Sequence, residues 1–118
     1  IHMFQNDLPL FYKIYNISAM KMFMVSMELP NEITTEFWQL IPAHRTAVNE
    51  LMDKGFIQTY AVNAARTMVW AMMAGPSEEE IFSMVQQFPI FEFFEDVLIE
   101  ELFIFDTIGN ALPKLVLN

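Results

Sequence analysis

Residues 55–77 read GFIQTYAVNAARTMVWAMMAGPS, and their punctuation decides the fold. Residues 56–62 and 67–73 are dominated by apolar, aromatic and methionine side chains, and they are separated by Asn63-Ala64-Ala65-Arg66. That length suits an antiparallel hairpin closed by a four- or five-residue loop. Gly55, just ahead, is a suitable helix stop, because glycine takes a left-handed backbone without steric cost. Gly75-Pro76 ends the second strand, and Ser77 opens the next helix.

Working upstream, residues 34–54 carry Phe37, Leu40, Ile41, His44, Val48, Leu51 and Met52 at the 3.6-residue period of a helix with one buried stripe. Pro42 lies inside this helix, where it removes a backbone donor, and it predicts a kink or a short helix followed by a fresh start. Residues 21–29 form a strand closed by Pro30, with Phe23, Val25, Met27 and Leu29 on one face and Met22, Met24, Ser26 and Glu28 on the other. Downstream, Ser77-Glu78-Glu79-Glu80 fits a capping box, and Ile81, Met84, Val85 and Phe88 mark the buried side of a helix that Pro89 ends. Three acids in its first turn favour the positive end of the helix dipole. Residues 95–105 read as a long final strand, and the KLVLN end could add a short edge strand.

The order β-α-β-β-α-β is the ferredoxin-like arrangement: an α+β fold with a four-stranded antiparallel sheet and both helices on one face. Nothing in the chain is left to cover the other face. With Tyr60 and Trp70 assigned to it beside Met22 and Met24, that face predicts association of two copies, sheet against sheet, as a dimeric α+β barrel. The partner expected is therefore a second copy of the chain, as a homodimer.

Composition agrees. A chain of 118 residues has the size of one domain, yet 54% hydrophobic residues, with 12 Phe and 10 Met, exceed the needs of one small core. Fifteen acids against six bases give a formal charge of −9, which repels phosphate backbones and argues against a nucleic-acid partner. The longest uncharged apolar run, residues 67–76, is far short of the ~20 residues that span a bilayer as a helix, so no membrane partner is expected. Without Cys there is no disulfide framework and no thiolate metal site, which fits a cytoplasmic protein. Residues 1–19 lack the pattern of a secretory signal and read as an N-terminal extension or an expression remnant ahead of one domain over residues 20–118.

Residues 52–102 resemble the muconolactone isomerase family: a helix ending at Gly55, two strands, a short helix opened by Ser77, then FPIFEFFEDVLIEEL. Phe88, Pro89, Ile90 and Phe91 stand where that family ends a helix in leucine-proline-leucine-phenylalanine, and Phe94, Asp96 and Val97 follow, at similar but not identical spacing, where it has an aromatic, an acid and a valine-rich strand. The resemblance implies a dimeric barrel that can build larger rings, and a cofactor-free isomerase that moves a carbon–carbon double bond within a lactone. The chain departs from the family pattern after Gly55. Family isomerases carry Lys, Trp, Arg and His there, whereas this chain has Phe56-Ile57-Gln58-Thr59-Tyr60. An anionic lactone needs compensating positive charge, and this segment does not supply it.

A proton shift requires a group that takes and returns a proton near neutral pH. His44, on the apolar stripe, is the candidate, with Tyr60 as hydrogen-bond donor; the commoner fate of such a histidine is partial burial against a backbone carbonyl. Gln58 shares the Tyr60 face by its spacing of two, Ser26 and Glu28 share another by the same spacing, and Trp70 is placed with them as a cavity wall. These four are the expected substrate-binding residues. The same aromatic face reads equally as a dimer interface, Glu28 reads as an exposed strand-end acid, and the alternative function is a non-catalytic dimeric barrel that binds a small apolar or aromatic ligand or serves only as an assembly module. Arg45 and Arg66 could each engage a carboxylate but are expected to form surface pairs in so acidic a chain. The acids Glu92, Glu95, Asp96, Glu100 and Glu101 have no calcium-loop spacing and no histidine nearby, so no metal is expected.

Overall fold

The computed structural model describes residues 20–108. The elements run β1 (Lys21–Glu28), α1 (Thr35–Asp53), β2 (Ile57–Val62), β3 (Met68–Gly75), α2 (Glu78–Gln86), a 3-10 turn (Phe91–Phe93) and β4 (Asp96–Glu101). The sheet order is β2-β3-β1-β4 with every pairing antiparallel, which is the ferredoxin-like α+β fold. The final KLVLN segment and residues 1–19 lie outside the described residues.

Local signals in the sequence account for the helix ends. Thr34 caps α1 by accepting from the Phe37 amide at 3.2 Å, and Ser77 caps α2 by accepting from Glu80 N at 3.2 Å. At its far end α1 closes with Gly55 at φ 86°. There Gly55 N donates to Met52 O at 3.0 Å and Phe56 N to Leu51 O at 2.9 Å, the paired bonds of a Schellman ending. Pro42 does not split the helix: one helix runs from Thr35 to Asp53 through it. Pro42 is exposed, so the carbonyl deprived of a partner lies on the watered side of the helix and not against the core.

The core lies between the sheet and the two helices. Phe23, Val25 and Met27 of β1 and Val69, Ala71 and Met73 of β3 meet Phe37 and Val48 of α1 and Ile81 and Val85 of α2. Gly75 lies directly under α2, where an added Cβ would stand 2.9 Å from Ile81 Cδ1. Met52, placed on the buried stripe by its spacing, is 39% exposed because it falls in the last turn of α1. The turn after α2 is held by Phe91 and Phe93, which pack on the core, with the Phe93 ring edge-on to Phe37 at 5.4 Å. The expected strand over 95–105 is shorter. It ends at Glu101, and Leu102 N still donates to Met22 O at 2.8 Å.

The register of β2 overturns one expectation. Ile57 lies opposite Met73, and the next pair is Thr59 with Met72, so Gln58 is an extra residue, a β-bulge. Each residue after the bulge therefore sits on the face opposite to the one that simple alternation assigns. Tyr60 comes opposite Ala71, a core position under the helices, while Ala61 comes opposite Trp70. Tyr60 and Trp70 do not share a face.

The face away from the helices carries Met24 and Met72 in one row and Leu98, Ser26, Trp70 and Ala61 in the next, with Glu28 between Met68 and Asp96. Among the described residues no element covers it.

The β2–β3 loop is tied by Asn63, whose Oδ1 accepts from the Thr67 and Met68 amides at 2.9 and 3.0 Å. Arg66 takes φ 60° in this loop, the one left-handed non-glycine residue among those described. A residue that carries a Cβ costs about 1–2 kcal/mol in that region relative to glycine. Arg66→Gly is accordingly expected to stabilise the fold by up to about 1 kcal/mol, read as a higher urea midpoint at unchanged slope.

Candidate functional site

The helical period that buries Phe37 and His44 also brings Trp38, Ile41 and Arg45 to the same side of α1, since positions three, four, seven and eight apart line one face. Opposite that face the strands end in Leu29, Val62 and Val69. Between helix and sheet is a cavity of about 250 Å³, which Tyr60 and Arg66 also line, and almost all of the surface facing it is apolar. An engineered cavity of about 150 Å³ holds benzene, so this one has room for a single ring with small substituents.

His44 and Tyr60 meet here. His44 Nε2 is 2.7 Å from the Tyr60 hydroxyl oxygen, and the Phe88 ring stands edge-on to the imidazole at 5.2 Å. The imidazole is 2% exposed, and its Nδ1 has no hydrogen-bond partner among the described residues. Burial, and secondarily the Arg45 charge, lower the His44 pKa from 6.5 to about 4, so the ring is neutral at pH 7. Burial raises the Tyr60 pKa against an opposing effect of Arg45, whose guanidinium lies 5.7 Å from the phenol centroid. The pair is therefore a neutral phenol and a neutral imidazole.

Acid–base matching orients their hydrogen bond. A phenol is the better donor and an imidazole nitrogen the better acceptor, so Tyr60 donates to Nε2 and the ring hydrogen sits on Nδ1. That leaves the Nδ1–H without an acceptor among the described residues, and a buried donor left unpaired costs about 1–3 kcal/mol.

Of the other expected site residues, none joins this pair. Ser26 and Trp70 are paired across β1 and β3 on the sheet face away from α1, and Glu28 is exposed at the end of β1. Gln58 is the bulge residue, exposed, and its amide donates to Gly55 O at 2.8 Å. The expectation of one face for Gln58, Tyr60 and Trp70 failed because strict alternation takes no account of the bulge. The expectation of surface ion pairs for the arginines also fails. Arg45 and Arg66 line the cavity, and neither has a carboxylate partner among the described residues. The helical spacing of Arg45 from His44 and Ile41 was the signal available for one of them.

Among the described residues no three His, Cys, Asp or Glu side chains are grouped to hold a metal, and no helix is long and apolar enough to cross a membrane.

No protein-family profile matches the chain. No curated protein matches it in sequence. Among solved structures it is similar to 5-chloro-2-hydroxyhydroquinone dehydrochlorinase from Burkholderia phenoliruptrix AC1100, in complex with 2,5-dihydroxybenzoquinone, with TM-score 0.59 and 17% identity over 69% of this chain and 92% of that one. A second solved protein, PH0061, gives TM-score 0.46 and 10% identity over 85% of this chain and 60% of that one, too slight a likeness to bear on the fold. The α+β fold read from the order of elements is thus also the fold of the dehydrochlorinase.

Proposed function

We propose that the protein is a cofactor-free enzyme that shifts a proton on a small unsaturated, oxygen-bearing ring held in the His44–Tyr60 cavity. The observation that carries this reading is the 2.7 Å hydrogen bond between a buried imidazole and a phenol, both lining a ring-sized apolar cavity. A carbonyl oxygen of the ring competes for the Tyr60 hydrogen. Once Tyr60 turns to it, the Nε2 lone pair is free beside the ligand. The proton on the carbon next to the carbonyl passes to Nε2, and the C–H electron pair becomes the enolate double bond. The negative charge collects on the oxygen that Tyr60 holds, where a fixed donor in a dry site is worth most. Returning the proton to a different carbon moves the double bond.

The muconolactone isomerase type of reaction is one case of this chemistry, with His44 as acid/base. The similar fold belongs to an enzyme whose substrate and bound ligand are oxygenated six-membered rings, which supports the same class of ligand here. As part of the same reading, the bare sheet face is the surface on which two copies pair into a dimeric barrel, with Met24, Trp70, Met72 and Leu98 at its centre. Ser26, Glu28 and Gln58 are then assigned to the interface and the surface, and not to substrate. A cysteine-free chain of this kind suits the cytoplasm.

The test is proton exchange. Unsaturated lactones and hydroxyquinones are incubated with the protein in deuterated water and followed by proton NMR and ultraviolet absorbance. Deuterium uptake at the ring carbon supports the reading; tight binding of these rings without exchange reduces the protein to a ligand-binding barrel. Light scattering at micromolar concentration checks the pairing, and a monomer there removes the barrel from the proposal.

A further inference from the structure

We infer that the ligand of this cavity is an uncharged ring with a single hydrogen-bonding oxygen, and that it presents this oxygen to Tyr60. The inference rests on reading the cavity as a ligand site and adds the ligand's polarity to that reading.

Three observations converge. Arg45 and Arg66 both line the cavity, yet almost all of the surface facing it is apolar. An arginine joins such a wall through its methylene stem while its charged head stays in water, and both arginines are exposed. The heads are thus solvated, and the stems form part of an apolar rim with Trp38 and Val62, which are 50% and 46% exposed. Second, no acid lines the cavity among the described residues, and its one imidazole is neutral at pH 7. No formal charge faces the space from within. Third, the hydrogen-bonding side chains that remain are Tyr60 and His44, and they are joined to each other at 2.7 Å. One hydrogen, that of the Tyr60 hydroxyl, can turn from Nε2 to a ligand, so the polar part of the site is a single point.

The polarity of the ligand follows. A carboxylate, or a second oxygen elsewhere on the ring, would lie against apolar walls without a partner, and the loss of its water opposes binding. A ring with no oxygen fits the walls but does not engage Tyr60. A volume of about 250 Å³ leaves room for apolar substituents beside the one oxygen. The missing basic residues after Gly55, which set the chain apart from the isomerases it resembles, are then explained, because an uncharged ring has no charge to compensate.

The test uses four molecules of one skeleton, titrated against the native protein by NMR: acetophenone, benzoate, benzamide and α-methylstyrene. Acetophenone carries the single acceptor; benzoate adds charge, benzamide adds an NH2 group, and α-methylstyrene has no oxygen. Acetophenone is expected to bind at least about tenfold more tightly than benzoate or benzamide, and severalfold more tightly than α-methylstyrene. Tyr60→Phe should bind acetophenone only as well as α-methylstyrene, and binding of the latter tells a lost hydrogen bond from a collapsed cavity. Arg45→Met keeps an apolar stem without the charge, whereas Arg45→Ser keeps neither, so the methionine variant should bind acetophenone about threefold more tightly than the serine variant. Benzoate or α-methylstyrene binding as tightly as acetophenone, a methionine variant no tighter than the serine one, or no binding of any probe each overturns the inference. Selective acetophenone binding without deuterium uptake on any unsaturated ring leaves this assignment standing and removes the proton-shift reading alone; exchange on a carboxylated ring as fast as on its uncharged methyl ester does the reverse.

Discussion

His44→Gln is expected to lower the rate of ring proton exchange by about 10²–10⁴-fold, the range a positioned general acid–base contributes. Glutamine keeps the side-chain length and a polar end near Tyr60 but cannot take a proton, so the loss measures proton transfer more than packing. Tyr60→Phe removes the donor to the developing oxyanion and is expected to cost about 10²–10³-fold. Because the two groups act as a pair joined at 2.7 Å, the double variant should be little worse than His44→Gln alone. Retention of native exchange by His44→Gln would remove the imidazole from the mechanism. The orientation of the pair is open to a separate check. Nitrogen-15 shifts at pH 7 should report the hydrogen on Nδ1 and a bare Nε2 in the free protein, and the opposite tautomer would exclude Nε2 as proton acceptor.

Stability should fall steeply on mild acidification, and His44 should be responsible for a defined part of the fall. The unfolded imidazole binds its proton below pH 6.5, the folded one only below about pH 4. Between those values the unfolded state holds more protons, so stability rises with pH. The contribution is full above pH 6.5, is lost as pH falls through the window, and is gone below about pH 4; its size is about 3 kcal/mol. Carboxylate titrations overlap this range, which makes the comparison with His44→Leu decisive. Urea midpoints at pH 7, 5.5 and 4 should show the native protein losing about 3 kcal/mol relative to the variant. Parallel curves for the two would mean that the imidazole charges in place, with water admitted to the cavity.

Much of the fold is legible locally because helix ends and hairpins are decided by neighbours in sequence. Thr34 and Ser77 cap by reaching three residues ahead, and Gly55 closes α1 through its own φ. The loop over 63–67 is tied by the Asn63 side chain. Once those signals are read, the order of elements leaves the ferredoxin-like sheet, and the period of α1 places His44 towards it. Pro42 misled the reading of α1 because its effect depends on whether the carbonyl it strands meets water or core, which only packing decides.

The sequence by itself determined the elements, their order, and which histidine faces inward. Only the tertiary structure decided what that histidine meets. Gln58 becomes an extra residue when β2 is laid against β3, and that slip of one turns Tyr60 from the bare face to the helix face. Alternation along a strand is a local property, but its phase after a bulge belongs to the pair of strands. The cavity follows the same logic. Arg45 and Arg66 look like isolated surface charges in a row of letters, and they come to line one cavity only because the fold brings the β2–β3 loop and α1 together, a meeting of distant parts of the chain that no local pattern encodes.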